Sequence, residues 1–588
     1  MATEEKITPQ EKEPKLKPWV IVLLVILTLI LIAVGFLAYD AYNIKRVGYD
    51  LKDNVRNIAS EIKNDEIDKA QDTVKTIKYD SNYLESKLNQ PQWRIASKFP
   101  LVGQDISSAK NLATAVNLAC DNLLDKALTT FKEYPFSTIK QGEGFGVKPI
   151  LAYVDLITEN KDDIKKMGEL LKPVHFKFIK GINSPIDKVN ELLPMLDDYD
   201  DVLSLARYFL GDGDEDKLYV FVAQNTAEIR AGGGFPGSVG TIDITDGVLT
   251  VGDFQSVVNV LPRFMPASCG VTAEENEMFG GWLGMHRDAT FIPDFERAGE
   301  IWATGFEEMN GKEVDGVVTA LPQIIQKFLK ILGPITVENY ILDGENATKV
   351  IQRDYYFDYF FKDNYTSQSG TITDDLFSKT AKITMQKLMN SFNISSLLDC
   401  IKVIQDSVAD RTFFMWMKDE EAQKLVRDLG YSGALNFDKN KPEVGVFISC
   451  QDGDKLGIFA KLDVTMSKGK KNADGSYTYD MKIVINNTMS DEVRNNARGY
   501  ILGSYGGDMF TLIHLFAPMG GTVSDFKSSN DMKFTISEYK GLQVGYANHF
   551  FVYRNTPIII TYKLTTAPGV ATVPTISQTP TLQEYVDE

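Results

Sequence analysis

The residues best suited to bind a ligand lie within residues 224–238, where one arginine and four glycines follow an apolar, strand-like segment. Glycine has no β-carbon, so the run Gly232, Gly233 and Gly234 allows a ligand to approach the backbone N–H groups closely. Arg230 adds a planar guanidinium, which suits carboxylates and phosphates. The segment therefore predicts an anion site.

The same glycines also fit a purely structural role. Residues 239–244 alternate between apolar and polar side chains, as a second strand would. A strand in that position requires a tight connection from the preceding one, and glycine is typical of such turns. The sequence alone leaves both interpretations open.

The overall charge excludes one class of partner. The chain has 588 residues with 62 basic and 80 acidic side chains, a formal net charge of −18. Such a surface repels polyanions, so nucleic-acid binding is not expected, and an anionic ligand requires a local basic site.

Cysteine and histidine do not indicate a metal site. Four cysteines and four histidines are scattered along the chain without a CxxC pair. The cysteines lie in apolar surroundings that favour buried thiols, although two disulfides would be allowed outside the membrane.

Residues 19–39 form an uninterrupted apolar segment without a charged residue. About 21 residues at about 1.5 Å each span a hydrocarbon core of roughly 30 Å. No convincing cleavage site follows, so the segment is expected to be an uncleaved signal anchor. Basic residues flank both ends of the segment, so the positive-inside rule does not set its orientation. The part before the segment is short and the part after it is large, and on that ground we expect the large C-terminal part to be extracytoplasmic.

The patterns beyond the anchor predict an α+β multidomain protein. Helical spacing comes first, then strands that alternate with helices in a central α/β domain, and finally short alternating strands typical of a β-sandwich. The predicted segments are a cytoplasmic tail (1–18), a transmembrane anchor (19–39), a helical stalk or hairpin region (40–210), an α/β domain with the glycine-rich loop (217–395), a helical connection (396–440), a β-sandwich (441–565) and an extended or disordered tail (566–588).

The glycine-rich segment resembles the signature of the bacterial family of domain of unknown function 4012. The resemblance rests on a Gln-Asn, a Glu-x-Arg and a Gly-Gly-Phe-x-Gly-Ser at one spacing, formed by Gln224, Asn225, Glu228, Arg230, Gly233, Gly234, Phe235, Gly237 and Ser238. Further similarities are found at residues 294–295, 314–317 and 332–335, so we expect the likeness to cover most of the extracytoplasmic part. The family name implies no activity.

The order of elements in the α/β domain also resembles the LytR-CpsA-Psr family of extracytoplasmic enzymes, which transfer glycopolymers from a polyprenyl-pyrophosphate carrier to peptidoglycan. Residues 312–337 and 344–353 carry this likeness. It implies that Arg230 and Arg353, with Lys379 as a third cation, hold the pyrophosphate. It also implies Mg²⁺ as the cofactor and, if the chain is an enzyme, a glycopolymer phosphotransferase.

This chain departs from that family in its acidic residues. No Arg-Ser-Asp-Thr element follows Arg230, so Glu228, Asp288 and Asp294 are the substitutes for a metal ligand. Each also suits a helix cap or an ion pair with an arginine.

Two functions therefore follow from the sequence. One is a membrane-anchored cell-envelope protein that binds a prenyl-pyrophosphate lipid or a cell-wall polymer. The other is a non-catalytic structural or adhesive surface protein.

Overall fold

A computed structural model describes residues 66–100, 103–135, 138–177, 199–264, 269–281, 283–391 and 394–586, besides positions 54, 57, 58, 60, 61, 187 and 190. The chain divides into two compact units. The first comprises Met1–Gln141, Gly146–Leu203 and Phe392–Asp399, and the second comprises Gly142–Phe145, Ser204–Ser391 and Cys400–Glu588.

The predicted membrane anchor, residues 19–39, lies outside the described residues, as does the tail before it. Among the helices that the structure does describe, none combines the length and apolarity that crossing a bilayer requires.

Amphipathic helices build the first unit. In the first helix, Ala70, Val74, Ile77 and Leu84 recur at helical spacing and are fully or almost fully buried, so one face enters a common core. Amphipathic helices with the expected spacing are therefore present in this region. The helices of this region, the last of which continues into the second unit, are α1 (Ile67–Leu88), α2 (Pro91–Ala96), α3 (Gly103–Ala119), α4 (Asp125–Glu133), α5 (Val147–Glu159), α6 (Lys161–Leu171) and α7 (Tyr199–Leu210).

The main sheet of the second unit is mixed. Strands β5, β4, β3, β7 and β10 are neighbours in that order, and β6 pairs with β4. The pair β3–β7 is parallel. The pairs β3–β4, β4–β5, β4–β6 and β7–β10 are antiparallel. The strands, including the hairpin β1–β2 between α4 and α5, are β1 (Lys140–Gln141), β2 (Gly144–Gly146), β3 (Lys217–Arg230), β4 (Gly233–Thr245), β5 (Val248–Val251), β6 (Gln255–Ser256), β7 (Gly316–Ala320) and β10 (Phe413–Met417), with a separate pair β8 (Ile335–Val337) and β9 (Tyr340–Leu342).

Helices and short turns alternate with these strands, as the α/β pattern predicts. The helices are α8 (Val257–Val260), α9 (Ala273–Met278), α10 (Phe295–Asn310), α11 (Pro322–Leu332), α12 (Ala347–Lys349), α13 (Tyr355–Phe360), α14 (Ser369–Ser391), α15 (Ile394–Ala409), α16 (Glu420–Asp428), α17 (Asp491–Asn496) and α18 (Gln583–Val586). Between them lie π turns at Cys120–Leu124 and Val350–Asp354 and 3₁₀ turns at His286–Phe291, Leu456–Ile458 and Gly499–Ile501.

Two five-stranded sheets share one apolar core and form the expected β-sandwich. One sheet has the order β17–β18–β15–β11–β20, and the other has β12–β14–β19–β16 with β13 beside β14. Their strands are β11 (Glu443–Cys450), β12 (Ala460–Met466), β13 (Lys470–Lys471), β14 (Tyr477–Asn487), β15 (Met509–Phe516), β16 (Thr522–Ser528), β17 (Thr535–Tyr539), β18 (Leu542–Val552), β19 (Ile558–Thr565) and β20 (Thr575–Gln578).

The sandwich and the α/β region form one compact unit rather than two separate domains. Strand β11 explains why, because successive side chains of a strand point to opposite faces. Val446 and Ile448 enter the sandwich core, whereas Phe447 packs into the core around α10 with Phe295 and Trp302.

Two predicted boundaries differ from the structure. The expected helical connection, 396–440, contains β10, which pairs with β7 and completes the main sheet. The expected extended or disordered tail, 566–588, contributes β20, which pairs in parallel with β11, and then α18. Both segments are short and lack strong periodicity, so their structure depends on pairing with distant strands.

All four cysteines are buried and are thiols rather than disulfides: Cys120, Cys269, Cys400 and Cys450. This confirms the expectation of buried thiols.

Replacing Trp302 by alanine should destabilise the second unit. The indole is fully buried, and its Nε1–H donates to the carbonyl of His286 at 2.9 Å. We expect Trp302→Ala to lower the free energy of unfolding by about 3–5 kcal/mol, measured by urea denaturation with circular dichroism. Met309, 45% exposed on the same helix, is the control; equal losses in Met309→Ala and Trp302→Ala would contradict this account of the core.

Candidate functional site

A bulged hairpin carries the residues that the sequence singles out. Strands β3 and β4 pair from Lys217↔Ile244 to Arg230↔Gly233, with a shift in register between Asn225 and Ile229. Three residues of β3, at positions 226–228, are therefore extra relative to β4. A bulge of this kind redirects side chains, and here it includes Glu228.

Two polar side chains fix the hairpin next to the bulge. Gln224 donates from Nε2 to Thr319 at 2.9 Å, and its Oε1 accepts the N–H of Gly234 at 2.7 Å. Asn225 donates from Nδ2 to the hydroxyl of Tyr356 at 2.6 Å. Because Gln224 and Asn225 are buried, these bonds satisfy groups that would otherwise be costly.

The glycines are required by protein packing. The N–H of Gly232 donates to the carbonyl of Thr290 at 2.8 Å, and Gly233 has a φ of +123°. A β-carbon on Gly234 would lie 2.4 Å from the carbonyl oxygen of Asn225. The amides of Gly232 and Gly234 therefore bind the protein itself, which corrects the expected cradle for an anion and favours the alternative of a turn between strands.

Glu228 is the centre of a buried ionic network. Its Oε1 accepts a hydrogen bond from Arg230 at 2.8 Å, and its Oε2 accepts one from Lys455 at 2.7 Å. Arg230 also donates to Asp288 at 2.9 Å and lies 3.9 Å from the centre of the Phe291 ring. All four charged side chains are at least nine-tenths buried.

The network shifts the pKa values of its members. Burial alone would raise the pKa of Glu228, but Lys455 and Arg230 outweigh it and the pKa lies below its ordinary value. Burial raises the pKa of Asp288, and the opposing effect of Arg230 does not outweigh it. Burial would lower the pKa of Arg230, but Asp288 and Glu228 raise it, so the guanidinium is permanently charged.

Arg230 also borders a cavity of about 430 Å³. The wall contains three arginines against one carboxylate, Asp288, so it is cationic within an acidic protein. Its lining residues are Arg230, Phe235, Arg263, Met285, Arg287, Asp288, Gln451 and Gly453, and we call it the cationic cavity.

Two of these arginines form no direct ion pair in the described part of the chain, although Arg287 interacts electrostatically with Asp288. Among the described residues, neither Arg263 nor Arg287 forms an ion pair, and Arg263 lies over the ring of Phe264 at 5.3 Å. The buried Nε of Arg287 and that of Arg230 have no hydrogen-bond partner. The cavity can therefore accept an anion without breaking the network.

The other predicted cations lie elsewhere. Arg353 is not among the cavity lining residues; it lies 3.5 Å from Asp354 and over the ring of Phe357. Lys379 pairs with Asp375 at 2.8 Å and with Glu338. Of the predicted anion-binding side chains, only Arg230 reaches the cavity.

The three substitutes for a metal ligand are neutralised by cations. Glu228 and Asp288 bind Arg230, and Asp294 pairs with Lys540 at 2.7 Å. In the part of the chain that the structure describes, no group of three or more histidine, cysteine or acidic side chains is arranged to hold a metal. These residues do not fit a Mg²⁺ site.

No sequence pattern indicated Lys455, Arg263 or Arg287 as site residues. Lys455 follows Cys450, the last residue of β11, by five positions, and it is 227 positions from Glu228. Arg263 and Arg287 lie in irregular or 3₁₀ segments without a periodic pattern. The Arg-Asp pair at positions 287–288 is the one local feature that marks the site.

Substitution of Gly234 should disrupt the hairpin. We expect Gly234→Ala to reduce the free energy of unfolding by about 1–3 kcal/mol or more, because the new β-carbon meets backbone. Gly284→Ala is the matched control, since that glycine has open space around it. Urea denaturation of both variants measures the difference; a Gly234→Ala variant as stable as Gly284→Ala would show that the close approach is not required.

Removing the charge of Glu228 should leave two buried cations without this anionic partner. We expect Glu228→Gln to cost about 3–5 kcal/mol at neutral pH, whereas Asp253→Asn, a surface pair with Lys382, should cost about 0–1 kcal/mol. Since the pKa of Glu228 is lowered, its contribution is complete above its ordinary pKa of 4.5 and is lost as the pH falls through the lowered value. Urea denaturation across this range should show the deficit shrinking in acid; a deficit independent of pH would contradict the ionised state.

Comparison with known families supports one of the two resemblances. The model of a family described as protein of unknown function (DUF4012) matches residues 214–356. This range includes the bulged hairpin, Arg230, Arg287 and Asp288, but it is shorter than the likeness expected over most of the extracytoplasmic part. Neither the curated proteins nor the solved structures contain a match. Over residues 214–356 the chain is thus similar to the family of domain of unknown function 4012.

Proposed function

We propose that this chain is a single-pass, membrane-anchored cell-envelope protein whose extracytoplasmic second unit binds the phosphate or pyrophosphate group of a glycopolymer. The site is the cationic cavity. Arg263 and Arg287 supply the charge for the ligand, and Arg230 forms a fixed wall. The proposed activity is binding of the anionic ligand, and the apolar segment at residues 19–39 is the proposed membrane anchor.

One observation supports it most strongly. In a chain with a net charge of −18, three arginines face one small cavity, and two of them are in no ion pair among the described residues. Unpaired cations raise the local potential and attract anions, and a guanidinium binds phosphate through two parallel hydrogen bonds.

A row of exposed and half-buried rings on and beside neighbouring strands suits the sugar part of such a ligand. We call it the aromatic strip: Tyr505, Phe510, His549, Phe551 and Tyr553. Phe551 contacts Tyr505 at 5.0 Å and Phe510 at 5.1 Å between ring centres, and Tyr553 is 55% exposed. Exposed ring faces present flat apolar area next to polar groups, which is the surface that the C–H face of a sugar packs against.

The strip adjoins the cavity through the chain itself. The cavity residue Gln451 donates its backbone N–H to the carbonyl of Phe510 at 2.8 Å. Asp452 accepts the hydroxyl of Ser504, the neighbour of Tyr505, at 2.9 Å. We place the sugar rings of a ligand with a phosphate in the cavity on this strip.

The resemblance to the LytR-CpsA-Psr family implies a polyprenyl-pyrophosphate carrier as the source of that phosphate. The apolar part of the cavity wall is small, consisting of Phe235 and Met285. We therefore place the anionic group in the cavity and assign no groove to a prenyl chain.

A structural or adhesive surface protein is the second candidate. The buried network favours it, because Glu228, Arg230, Asp288 and Lys455 compensate one another without a ligand. In that case the hairpin only stabilises the fold.

Titration calorimetry of the full chain in detergent can separate these functions. The probes are inorganic pyrophosphate and a polyprenyl pyrophosphate, each with and without Mg²⁺. We expect saturable binding that Arg263→Ala and Arg287→Ala each weaken by about ten- to hundredfold. Binding should also weaken as salt is raised, since Arg263 is exposed.

Arg353→Ala is the matched control, because that arginine is not a lining residue of the cavity. Unchanged binding in Arg353→Ala supports the cationic cavity. Loss in Arg353→Ala with none in Arg287→Ala would instead favour the site implied by the LytR-CpsA-Psr likeness. If the folded protein binds neither probe, the result would favour the structural or adhesive role instead.

A further inference from the structure

A separate cavity of about 580 Å³ lies where strand β9 and the helices α13 and α14 meet. It shares no lining residue with the cationic cavity. Its volume falls within the range of small-molecule sites, roughly 300–1,000 Å³. We call it the tyrosine pocket, and its polar and aromatic lining residues are Asn339, Tyr340, Asp358, Tyr359, Asn364 and Thr366.

Hydrogen bonds among its own residues hold the wall of the tyrosine pocket in place. The hydroxyl of Tyr340 donates to Oδ2 of Asp358 at 2.7 Å, and Nδ2 of Asn364 donates to the backbone carbonyl of Asp358 at 3.0 Å. The ring of Tyr340 also meets the ring of the buried Tyr355 edge to face, with 4.7 Å between the ring centres. Because these contacts exist before a ligand binds, binding requires less ordering of side chains.

Other polar atoms of the same wall are free to bind a ligand. Among the described residues, the side-chain amide of Asn339 forms no hydrogen bond, and Oδ1 of Asp358 and Oδ1 of Asn364 accept none. Asn339 therefore offers both a donor and an acceptor, and the other two side chains offer acceptors. The pocket presents donors and acceptors side by side.

The charge of the tyrosine pocket excludes an anionic ligand. Of its lining residues, Asp358 alone carries a charge. A carboxylate repels a phosphate, and no lining cation offsets that repulsion. The pocket therefore differs in chemistry from the cationic cavity, which three arginines line.

A cation satisfies only part of this wall. An ammonium group would pair with Asp358, but it supplies donors alone and would leave the N–H groups of Asn339 without an acceptor. A metal ion requires several ligands, and the described part of the chain contains no group of three or more histidine, cysteine or acidic side chains placed to hold one. A hydroxyl group both donates and accepts, so adjacent hydroxyls match the wall best.

Apolar surface completes the pocket. Tyr340 and Tyr359 contribute aromatic rings, and Ile372 of α14 contributes an aliphatic side chain. Both tyrosines are half-buried and pack against the apolar core that contains Tyr355 and Leu376, so their rings are supported from behind. A sugar ring combines hydroxyl groups on its rim with a C–H face, which packs against an aromatic ring.

We propose that the tyrosine pocket binds one neutral sugar ring. Asn339, Asp358 and Asn364 bind the hydroxyl groups, and the rings of Tyr340 and Tyr359 pack against the C–H face. This site goes beyond the proposed function, which places an anionic group in the cationic cavity and sugars on the aromatic strip. It needs no phosphate on the ligand.

Saturation-transfer-difference NMR with the full chain in detergent tests the proposal. The probes are four neutral tetrasaccharides, built from glucose, mannose, galactose or N-acetylglucosamine. We expect at least one of them to bind with a Kd of about 1 mM, because a single ring makes few contacts. Its affinity should not change as salt is raised, since the ligand is uncharged, whereas pyrophosphate binding should weaken.

Two variants assign this binding to the pocket. We expect Asn339→Ala and Asn364→Ala each to weaken it by about three- to tenfold, because each removes hydrogen bonds between neutral groups. Asn530→Ala is the matched control, since Asn530 is likewise an exposed asparagine in a turn between two strands but does not line the pocket. Circular dichroism checks that all three variants are folded.

Tyr553→Ala separates the tyrosine pocket from the aromatic strip, which also suits sugar rings. Weaker binding in Asn339→Ala and Asn364→Ala, with none lost in Asn530→Ala, supports the pocket. Wild-type affinity in both pocket variants combined with a loss in Tyr553→Ala would overturn the proposal and assign the sugar to the strip.

The absence of binding to all four tetrasaccharides by the folded wild-type protein would also overturn the proposal. Pyrophosphate binding is measured at a cavity that shares no lining residue with the tyrosine pocket. Either proposal can therefore fail while the other stands.

Discussion

The second unit depends on one buried carboxylate. Glu228 holds Arg230 from its own strand and Lys455 from beyond β11, while Arg230 holds Asp288 from a 3₁₀ turn. Buried charges are tolerated only when they are paired, and removing one leaves the others uncompensated. The network therefore fixes the bulged hairpin, the turn at His286–Phe291 and the sandwich relative to one another.

That constraint separates structural charge from charge available to a ligand. An arginine with two carboxylates is positioned but largely neutralised, so Arg230 forms a wall more readily than it binds an anion. Arg263 and Arg287 form no ion pair among the described residues, so their charge is less neutralised than that of Arg230. The proposed binding of a phosphate group rests on this division, in which one rigid arginine orients the cavity and two others supply attraction.

The buried polar groups of the second unit differ in how they are satisfied. At the cationic cavity the buried ions compensate one another. Elsewhere in the unit, Arg411, Asp294 and Gln323 each keep one buried atom without a hydrogen-bond partner. Unsatisfied buried groups are costly, so these three side chains carry a cost that the two carboxylates of the network avoid.

The sequence by itself determined the local structure. Helical spacing predicted α1, alternation predicted the sandwich strands, and the glycine run predicted a turn after Arg230, because these patterns depend on neighbours along the chain. Only the tertiary structure decided which charges meet. Glu228 and Lys455 are 227 positions apart, so no spacing rule relates them. Asp288, the second partner of Arg230, likewise comes from a segment 58 positions away.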